Sequence, residues 1–525
     1  MPKVLICDKM SPLAEQILRE RGLEVEVATG LASEALTEKL AGVEGMVIRS
    51  ATKVTGEILA AAPDLKVVGR AGIGVDNVDV PAATQRGIVV MNTPGGNAIT
   101  TAEHALALLL ALARRIPAAD RSTHAGKWEK SRFMGVELTG KTLGVIGCGN
   151  VGAVVADRAL GLKMRVVAYD PFLSNDRARD LGVEKVELDD LLARADFISL
   201  HVPLTDQTRD ILDAEALAKT KPGVRIVNCA RGGLVNERDL KAALESGHVA
   251  GAALDVYLEE PARENPLFGV DQVIATPHLG ASTNEAQEKV AVQVAQQIAD
   301  YLMTGAITNA LNMPSVTAEE AVRLAPYMTL CEQLGSFAGQ LTRSGLRGVT
   351  IEYEGQVAGL NTRPLTQCAL AALLAPMLDS VNMVNAPIIA RERNIELHEI
   401  KHDRDCDFQT MVRLTVVTEV QERGVAGTLF GGNRPRLVEI KGIPIEAELA
   451  PHMLYVTNED KPGLIGALGT TLGDAGYNIA TFHLGRATPG GEALALIELD
   501  EAVAPEVLKV VEGLPHIKQA MPLKF

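Results

Sequence analysis

The chain has 525 residues, 47% of them hydrophobic, and a formal net charge of −15. This length predicts three or four globular domains at about 150 residues each. The negative charge argues against nucleic acid and membrane partners, because phosphate backbones and anionic lipids repel an acidic surface. An anionic small molecule would need a local basic pocket.

The six cysteines are scattered without CxxC spacing, so we expect reduced thiols in a cytoplasmic protein and no metal site. The first residues lack the long apolar stretch of a secretory signal. The longest apolar run, residues 105–113, is too short to span a bilayer and is better interpreted as a buried helix.

Short apolar runs alternate with helix-like stretches through the first hundred residues. Strands are predicted at residues 4–7, 25–28, 45–48, 67–69 and 89–91, and helices at 12–21 and 33–40. This alternation favours βα units around a mostly parallel sheet. An apolar helix at 101–113 and a polar arm around Trp128 follow.

A second βα series starts at Lys141. Its six predicted strands lie at residues 142–146, 165–169, 197–200, 225–228, 251–254 and 272–275. Six strands separated by helical stretches fit a complete doubly wound domain. Residues 284–302 are predicted to form one amphipathic helix that returns the chain to the first domain.

The C-terminal part begins near Pro314. Residues 317–450 are interpreted as an α/β module with β-branched runs at 412–420 and 437–444. The rest alternates as strand, helix, strand, strand, helix and strand at 452–458, 462–475, 478–486, 492–500, 505–513 and 517–524. That order is typical of the ferredoxin-like fold.

A glycine-rich turn between a predicted strand and helix indicates a dinucleotide site. Gly147 permits a tight turn, Gly149 lets a pyrophosphate approach the backbone, and Gly152 lets helix and strand pack closely. Asp170 ends the next predicted strand, where a carboxylate binds the adenosine ribose hydroxyls and repels a 2′-phosphate. The pattern predicts NAD rather than NADP.

Three later predicted strands end near an arginine, a carboxylate and an imidazole, namely Arg231, Glu260 and His278. Parallel strands bring their carboxyl ends to one edge of a sheet, where ligands bind. These residue types suit hydride transfer at a 2-hydroxy acid. His278 can accept the hydroxyl proton, Glu260 can orient the ring, and Arg231 can hold the substrate carboxylate.

These motifs resemble, in the same order across residues 1–312, the D-isomer-specific 2-hydroxyacid dehydrogenases. The resemblance implies an NAD-dependent enzyme with Arg231, Glu260 and His278 as its catalytic residues. It also implies that NAD contacts the glycine turn, Asp170 and a further set of residues: Asn150, Val151, Cys229, Ala230, Arg231, Asp255, His278, Gly280 and Ala281.

Within that family, residues 48–55, 69–77 and 92–97 resemble the phosphoglycerate dehydrogenases. This resemblance implies oxidation of D-3-phosphoglycerate, the first step of L-serine biosynthesis. The cations at predicted strand ends, among them Lys53, agree with an anionic substrate. The implied substrate residues are Arg49, Ser50, Arg70, Gly72, Asn97 and, reaching a neighbouring subunit, Arg132.

The C-terminal part resembles the intervening and ACT regulatory domains of the long-form enzymes. Asp460 is predicted to cap the helix that follows it. The resemblance implies that Asp460 and Asn478 bind L-serine between paired ACT domains, with plain capping and turn chemistry as the alternative. Pairing of ACT domains and of the arm around Trp128 implies a homo-oligomer, expected to be a tetramer.

The expected architecture is α/β, with two Rossmann-like or flavodoxin-like lobes, an α/β intervening domain and a ferredoxin-like ACT domain. The expected boundaries are 1–98 with 284–313 for the substrate lobe, 99–283 for the NAD domain, 314–450 for the intervening domain and 451–525 for the ACT domain.

Two other functions stay open from the sequence. One is reduction of another 2-oxo acid, such as glyoxylate, hydroxypyruvate or 2-oxoglutarate. The other is a non-catalytic, NAD(H)-sensing protein resembling the corepressors that share this fold. The acidic charge and the complete set of Arg231, Glu260 and His278 argue against the second.

Overall fold

The computed structural model describes residues 1–378, 380–402 and 407–525 and arranges them around four β-sheets. Two sheets are parallel, and the other two are mainly antiparallel. This arrangement confirms the predicted α/β class. Among the described residues, no helix combines the length and apolarity needed to cross a bilayer. Cys406 lies outside those residues, and the five described cysteines are buried and free.

The first sheet has the strand order β2-β1-β3-β4-β5, which is the flavodoxin-like order. Its strands are buried on both faces, since neighbours such as Val4 and Leu5 enter two different hydrophobic clusters. The elements are β1 (Lys3–Ile6), α1 (Leu13–Glu20), β2 (Glu24–Val27), α2 (Ser33–Glu38), β3 (Gly45–Ile48), α3 (Gly56–Ala60), β4 (Val67–Arg70), α4 (Val80–Gln85) and β5 (Val89–Asn92).

The second sheet has seven parallel strands in the order β12-β11-β10-β9-β6-β7-β8. The prediction of six strands is wrong, because the two-residue edge strand β8 is charged and exposed and so gives no apolar signal. The elements are α5 (Ala98–Arg114), α6 (Ile116–His124), β6 (Thr142–Ile146), α7 (Asn150–Gly161), β7 (Arg165–Tyr169), α8 (Asn175–Leu181), β8 (Glu184–Lys185), α9 (Leu188–Arg194), β9 (Phe197–Leu200), α10 (Ala214–Ala218), β10 (Val224–Asn228), α11 (Glu237–Glu245), β11 (Val249–Leu254) and β12 (Val273–Ala275).

The long helix α12 (Asn284–Thr304) packs on the first sheet, although it follows the second sheet in sequence. Gly69 leaves room for it, since a β-carbon there would lie 2.7 Å from Val294 Cγ2. Leu302, near the end of the helix, packs against Gly45 at the start of β3. The helix therefore runs from the carboxyl edge of the first sheet to its amino edge.

The third sheet has the order β14-β13-β15-β16-β17-β18 and packs against α13 and α14. The β-branched run at 437–444 is two strands of a hairpin rather than one run, because Lys441 (φ 52°) and Gly442 (φ 74°) form a turn within it. The elements are α13 (Ala318–Leu341), β13 (Leu346–Gly355), α14 (Arg363–Leu374), α15 (Ala386–Glu392), β14 (Glu396–His402), β15 (Thr410–Thr418), β16 (Glu422–Phe430), β17 (Arg434–Ile440) and β18 (Ile443–Ala447).

The fourth sheet has the order β20-β21-β19-β22 and the predicted alternation of strands and helices. Its elements are β19 (Met453–Glu459), α16 (Leu464–Asp474), β20 (Ile479–Arg486), β21 (Glu492–Leu499), α17 (Pro505–Glu512) and β22 (Ile517–Leu523). The predicted capping of the first helix by Asp460 is wrong. Helix α16 starts only after Gly463 (φ 95°), and Oδ2 of Asp460 instead accepts a hydrogen bond from Gly490 N at 2.9 Å.

One hydrophobic cluster joins the third and fourth sheets. It contains Phe337 of α13 together with Tyr455, Leu494 and Met521 of the fourth sheet. The ring of Phe337 meets Tyr455 edge to face at 5.8 Å and stacks on Phe525 at 6.5 Å. The two C-terminal units therefore share a core.

Replacing Phe337 by alanine is expected to destabilise both C-terminal units together. A buried Phe→Ala change costs about 3–5 kcal/mol, because apolar contacts are lost and a cavity remains. Thermal and urea unfolding of the variant, measured by circular dichroism, should show a lower unfolding midpoint than the unmodified chain. Val322→Ala on the same helix is the matched control, since Val322 is 75% exposed and should change stability by less than about 0.5 kcal/mol. Equal effects of the two changes would contradict the shared core.

Candidate active site

The catalytic residues predicted from sequence lie in a cleft between the two parallel sheets. Arg231, which follows β10, donates from Nε to Oδ2 of Asp76, which follows β4, at 2.9 Å. A β-carbon on Gly74 would overlap Nη2 of Arg231, so a side chain there would displace that guanidinium. The carboxyl ends of the strands of both sheets therefore face each other across this cleft.

The turn between β6 and α7 has the shape needed to receive a phosphate group. Gly147 has a φ of 90°, and a β-carbon there would lie 2.8 Å from His201 O. A β-carbon on Gly152 would overlap Gly147 O. The helix that starts at this turn offers free N–H groups and the positive end of its dipole to an anion.

Asp170 lies beside this turn, directly after β7. Its Oδ2 accepts a hydrogen bond from Cys148 N at 2.8 Å, and its Oδ1 accepts one from Phe172 N at 2.8 Å. A fixed carboxylate here suits ribose hydroxyls. It would repel a 2′-phosphate by about 4 kcal/mol at roughly 4 Å and an effective dielectric near 20. The turn and Asp170 together fit NAD.

His278 and Glu260 form an acid–base pair on the same side of the cleft. Nδ1 of His278 lies 2.6 Å from Oε2 of Glu260, and Oε1 of Glu260 accepts from Tyr257 N at 3.0 Å. The backbone of His278 has a φ of 55° and is held by a hydrogen bond from its N to Asp255 O at 2.9 Å. A left-handed conformation is uncommon for residues other than glycine, although histidine adopts it more readily than most, and here it sets the direction of the imidazole.

The pair shifts both ionisation equilibria towards the charged forms. The hydrogen bond to Glu260 raises the pKa of His278, against the effects of burial and of the charge of Arg231. Burial acts to raise the pKa of Glu260, but the hydrogen bonds from His278 and Tyr257 N outweigh it and lower that pKa. An imidazolium formed at His278 is therefore stabilised by its partner.

Arg49 and Arg70 form a cationic group opposite this pair. Burial lowers the pKa of Arg70 to about 10, and the nearby charge of Arg231 adds to the effect. Burial also lowers the pKa of Arg49. Among the described residues, Nε of each arginine and Oδ1 of Asn97 are buried without a hydrogen-bond partner. Partly buried guanidinium groups with an unpartnered Nε favour an anionic ligand.

The loops that carry these cations are fixed by hydrogen bonds. Buried Asp8 accepts from Arg49 N at 2.6 Å and from Thr52 Oγ1 at 2.9 Å. A β-carbon on Gly72 would overlap the guanidinium of Arg70, so this glycine is part of the shape of the pocket. Ser50 is exposed in the loop beside Arg49. The lobe thus presents its predicted substrate residues at one edge.

Asp255 is fully buried at the end of β11 and is held by donors on every side. Its Oδ1 accepts from Thr276 Oγ1 at 2.6 Å and from Leu279 N at 2.7 Å, and its Oδ2 accepts from Gly280 N at 2.8 Å. His104 Nε2 lies 3.2 Å from Oδ1. Burial acts to raise the pKa of Asp255, but these hydrogen bonds lower it.

His104 is a site residue that the sequence analysis missed. It lies on α5, which was interpreted only as a buried apolar helix, and a histidine directly before the apolar run was the available signal. His104, Cys229 and Asp255 place possible metal-ligand atoms within 4.8 Å of one another. Both oxygens of Asp255 are already hydrogen-bonded, and burial raises the pKa of Cys229. The arrangement therefore fits a carboxylate fixed by hydrogen bonds better than a cation site.

Three segments of the chain match known families. Residues 106–280 match "D-isomer specific 2-hydroxyacid dehydrogenase, NAD binding domain". Residues 323–441 match "D-3-phosphoglycerate dehydrogenase intervening domain". Residues 452–516 match the ACT domain. The expected order of domains is therefore present along one chain.

Full-length relatives narrow the family. D-3-phosphoglycerate dehydrogenase of Archaeoglobus fulgidus is 44% identical over 99% of both chains. That of Methanocaldococcus jannaschii is 43% identical over 99% of both, and that of Bacillus subtilis is 40% identical over 98% of both. The chain belongs to the D-3-phosphoglycerate dehydrogenase family.

Solved structures of more distant relatives match a little over half of this family member. D-lactate dehydrogenase of Aquifex aeolicus, complexed with NAD and lactic acid, is 28% identical with a TM-score of 0.53, covering 59% of this chain and 100% of that one. A glyoxylate reductase from Paecilomyes thermophila is 29% identical with a TM-score of 0.56, covering 59% and 98%. The chain is an NAD-dependent dehydrogenase, which confirms the predicted enzyme class and cofactor.

The remaining cofactor residues predicted for this family member lie around the same cleft. Asn150 opens α7, and its Nδ2 lies 3.5 Å from Pro94 O, across the junction of the lobes. Gly149 precedes it and Val151 follows it. The other predicted contacts lie in loops after β10 and β12: Cys229 and Ala230 after the first, Gly280 and Ala281 after the second.

Three predicted residues lie outside the cleft of their own chain. The side chain of Arg132 contacts Glu129 at 3.2 Å and Asp271 at 3.5 Å. Asp460 pairs with Arg486 Nη1 at 3.0 Å in the fourth sheet, and Asn478 Nδ2 donates to an aspartate oxygen, Asp500 Oδ2, at 2.8 Å. Their expected roles at a neighbouring subunit or an effector stay predictions.

Changing Glu260 to glutamine is expected to lower the pKa of His278, because the neutral amide no longer stabilises the imidazolium. Protonation of His278 would then be lost at lower pH than in the unmodified chain. The measurement is an NMR titration of histidine-labelled protein, with the resonance of His278 assigned by its absence in His278→Gln.

Glu259→Gln is the matched control, because Glu259 is the neighbouring carboxylate, is exposed, and makes no hydrogen bond or ion pair with the described residues of the cleft. It should leave the titration of His278 where it was. If both variants give the same titration curve, the ion pair seen here does not control the ionisation of His278.

Proposed function

We propose that this chain oxidises D-3-phosphoglycerate to 3-phosphohydroxypyruvate with NAD, the first step of L-serine biosynthesis. The observation that carries the proposal is the position of the His278–Glu260 pair across the cleft from Arg49 and Arg70, whose buried Nε atoms have no partner among the described residues. A substrate with a hydroxyl, a carboxylate and a phosphate complements both sides of the cleft: the hydroxyl suits the acid–base pair, and the anionic groups suit the arginines. The full-length relatives carry the name of this activity.

The cofactor supplies one part of the chemistry, since bound NAD takes the hydride from C2 of the hydroxy acid. The residues that would hold it are Gly147, Gly149, Gly152 and Asp170, with Asp255 and its neighbours at the nicotinamide end. Support comes from the narrow turn, which a side chain would fill, and from the fixed carboxylate of Asp170.

His278 acts as the base in the direction of oxidation. Its Nδ1–H donates to Glu260, so Nε2 is left to take the hydroxyl proton. The carboxylate of Glu260 stabilises the resulting imidazolium, as the raised pKa of His278 indicates. In the reverse direction the same imidazolium returns the proton to the carbonyl oxygen.

Arg231 orients the substrate and polarises its C2 oxygen. Its Nε is engaged by Asp76 and its Nη1 by Ala230 O at 2.7 Å, which fixes the plane of the guanidinium. A guanidinium held in one plane presents paired donors to a carboxylate. Arg49 and Arg70 supply the charge for the phosphate, with Ser50, Gly72 and Asn97 around them.

Asp255 positions the nicotinamide end of the site without touching the reacting atoms. Its oxygens fix the backbone of Leu279 and Gly280, which directly follow His278. His104 and Thr276 hold Asp255 in turn. The acid–base residue is thereby placed by a buried network.

Assembly and regulation complete the proposal. We propose a cytoplasmic homotetramer in which Arg132 reaches the active site of a neighbouring subunit and L-serine binds between paired ACT domains at Asp460 and Asn478. The ACT match and the exposure of Trp128, at 88%, support contacts between copies of the chain.

The test is turnover of purified protein with NAD and D-3-phosphoglycerate, followed by NADH absorbance with and without millimolar L-serine. We expect turnover that serine suppresses. His278→Ala should reduce turnover by about 10²–10⁴-fold while keeping NADH binding, because only proton transfer is removed. His398→Ala, an exposed histidine of β14, is the control and should be fully active.

Each other outcome has a definite meaning. Full activity of His278→Ala removes that residue from the mechanism. Turnover without suppression rejects the serine site and leaves the ACT domain as an assembly unit. NADH binding without turnover rejects D-3-phosphoglycerate as the substrate and favours the alternative of a reductase for another 2-oxo acid.

Arg49→Ala should raise the KM for 3-phosphohydroxypyruvate by about tenfold or more and change that for hydroxypyruvate little. The reason is the loss of a charged hydrogen bond to the phosphate, which contributes about 1.5–3 kcal/mol. Initial rates of NADH oxidation with both substrates measure this difference. Arg19→Ala, a surface arginine of the same lobe paired with Glu15, is the control. Equal changes for both substrates would remove the phosphate role of Arg49.

A further inference from the structure

A cavity of about 1070 Å³ lies between the first lobe and the third sheet's helices, away from the active-site cleft. Its floor is formed by the residues that precede β3, β4 and β5, such as Glu44, Lys66 and Gly87. Its wall is formed by α13 and by the loop before α15. The cavity therefore lies at the amino edge of the first sheet, whereas Arg49 and Arg70 lie at its carboxyl edge.

The interface around the cavity is fixed by hydrogen bonds. Asn382 Nδ2 donates to Gly87 O at 3.1 Å, and Asn385 Nδ2 donates to Gln85 O at 3.2 Å. Asn382 packs so closely on Gly87 that a β-carbon there would overlap it. The cavity is thus a built part of the domain junction.

The wall of the cavity is mostly apolar and adaptable. Three methionines line it, Met313, Met328 and Met383, beside Ile307 and Leu324. Methionine is flexible and polarisable, and it packs against apolar groups of varied shape. Such a wall suits the side chain of a small molecule, and ligand cavities of this size are lined in this way.

The charged groups of the cavity balance one another. Lys66 and Glu44 form an ion pair with Nζ and Oε2 at 2.6 Å. Arg86 and Asp64 are exposed residues that also line the cavity, and no hydrogen bond or ion pair within the described part of the chain involves their side chains. They lie in the turns before β5 and β4, which are neighbouring strands, so a free cation and a free anion share one edge.

We propose that this cavity binds a zwitterion with a large apolar side chain, that is, an aromatic or branched α-amino acid. The carboxylate would meet Arg86, the ammonium group would meet Asp64, and the side chain would enter the methionine-lined wall. A simple anion or cation would satisfy only one of the two charges. The site is separate from the cleft and from Asp460 and Asn478, and it does not depend on the proposed function.

The test is isothermal titration calorimetry of the full chain with L-phenylalanine. We expect one site per chain, with binding unchanged in Asp460→Ala/Asn478→Ala. Arg86→Gln and Asp64→Asn should each weaken binding by about tenfold, since each removes one charged contact. Ala325→Trp should abolish binding by filling the cavity, and Arg238→Gln, an exposed arginine of α11, should not change it.

Two analogues test the need for both charges. Phenethylamine lacks the carboxylate and 3-phenylpropionate lacks the ammonium group, so each should bind about tenfold more weakly than L-phenylalanine. The proposal is overturned if L-phenylalanine, L-leucine and L-tryptophan all give no binding heat. It is equally overturned if binding persists in Ala325→Trp, or is lost only in Asp460→Ala/Asn478→Ala.

Discussion

The active site depends on one constraint: two parallel sheets must present the carboxyl ends of their strands to each other. The ion pair between Arg231 and Asp76 spans the two edges, but an exposed ion pair contributes at most about 1 kcal/mol. The lobes are joined instead by the two helices in which the chain crosses between them. Helix α5 packs into the second domain and α12 packs into the first, so burial sets the geometry and Arg231 only refines it.

The electrostatics of the cleft follow from this geometry. An acidic chain gathers Arg49, Arg70 and Arg231 at one place, and burial lowers the pKa of Arg70 to about 10. At neutral pH Arg49 and Arg70 nevertheless stay charged, and the buried Nε atom of each has no hydrogen-bond partner among the described residues. An anionic substrate relieves the cost of this desolvated charge when it binds. On the other side, Glu260 keeps His278 ready to become an imidazolium.

Much of this arrangement could be predicted because its signals are local. The glycine turn with Asp170 can be predicted from a strand, a turn and the number of residues between them. The positions of Glu260 and His278 can be predicted in the same way, because each follows a predicted strand. Contacts between distant segments could not be predicted, such as His104 with Asp255, since no local pattern relates the two. Asp460 shows the opposite failure: the local pattern of a cap was present, but Gly463 delays the helix beyond its reach.

The C-terminal half raises the question of how regulation could reach the cleft. Because Phe337 joins the third and fourth sheets in one core, any influence of these sheets on the first lobe would pass through the junction that holds the cavity. Lys66 directly precedes β4 and Arg70 ends it, four residue steps or about 13 Å further on, so this strand connects the amino edge to one of the substrate cations. Rigid connection alone does not regulate, however. A ligand in the cavity changes substrate affinity only if it binds two arrangements of that junction with different free energies.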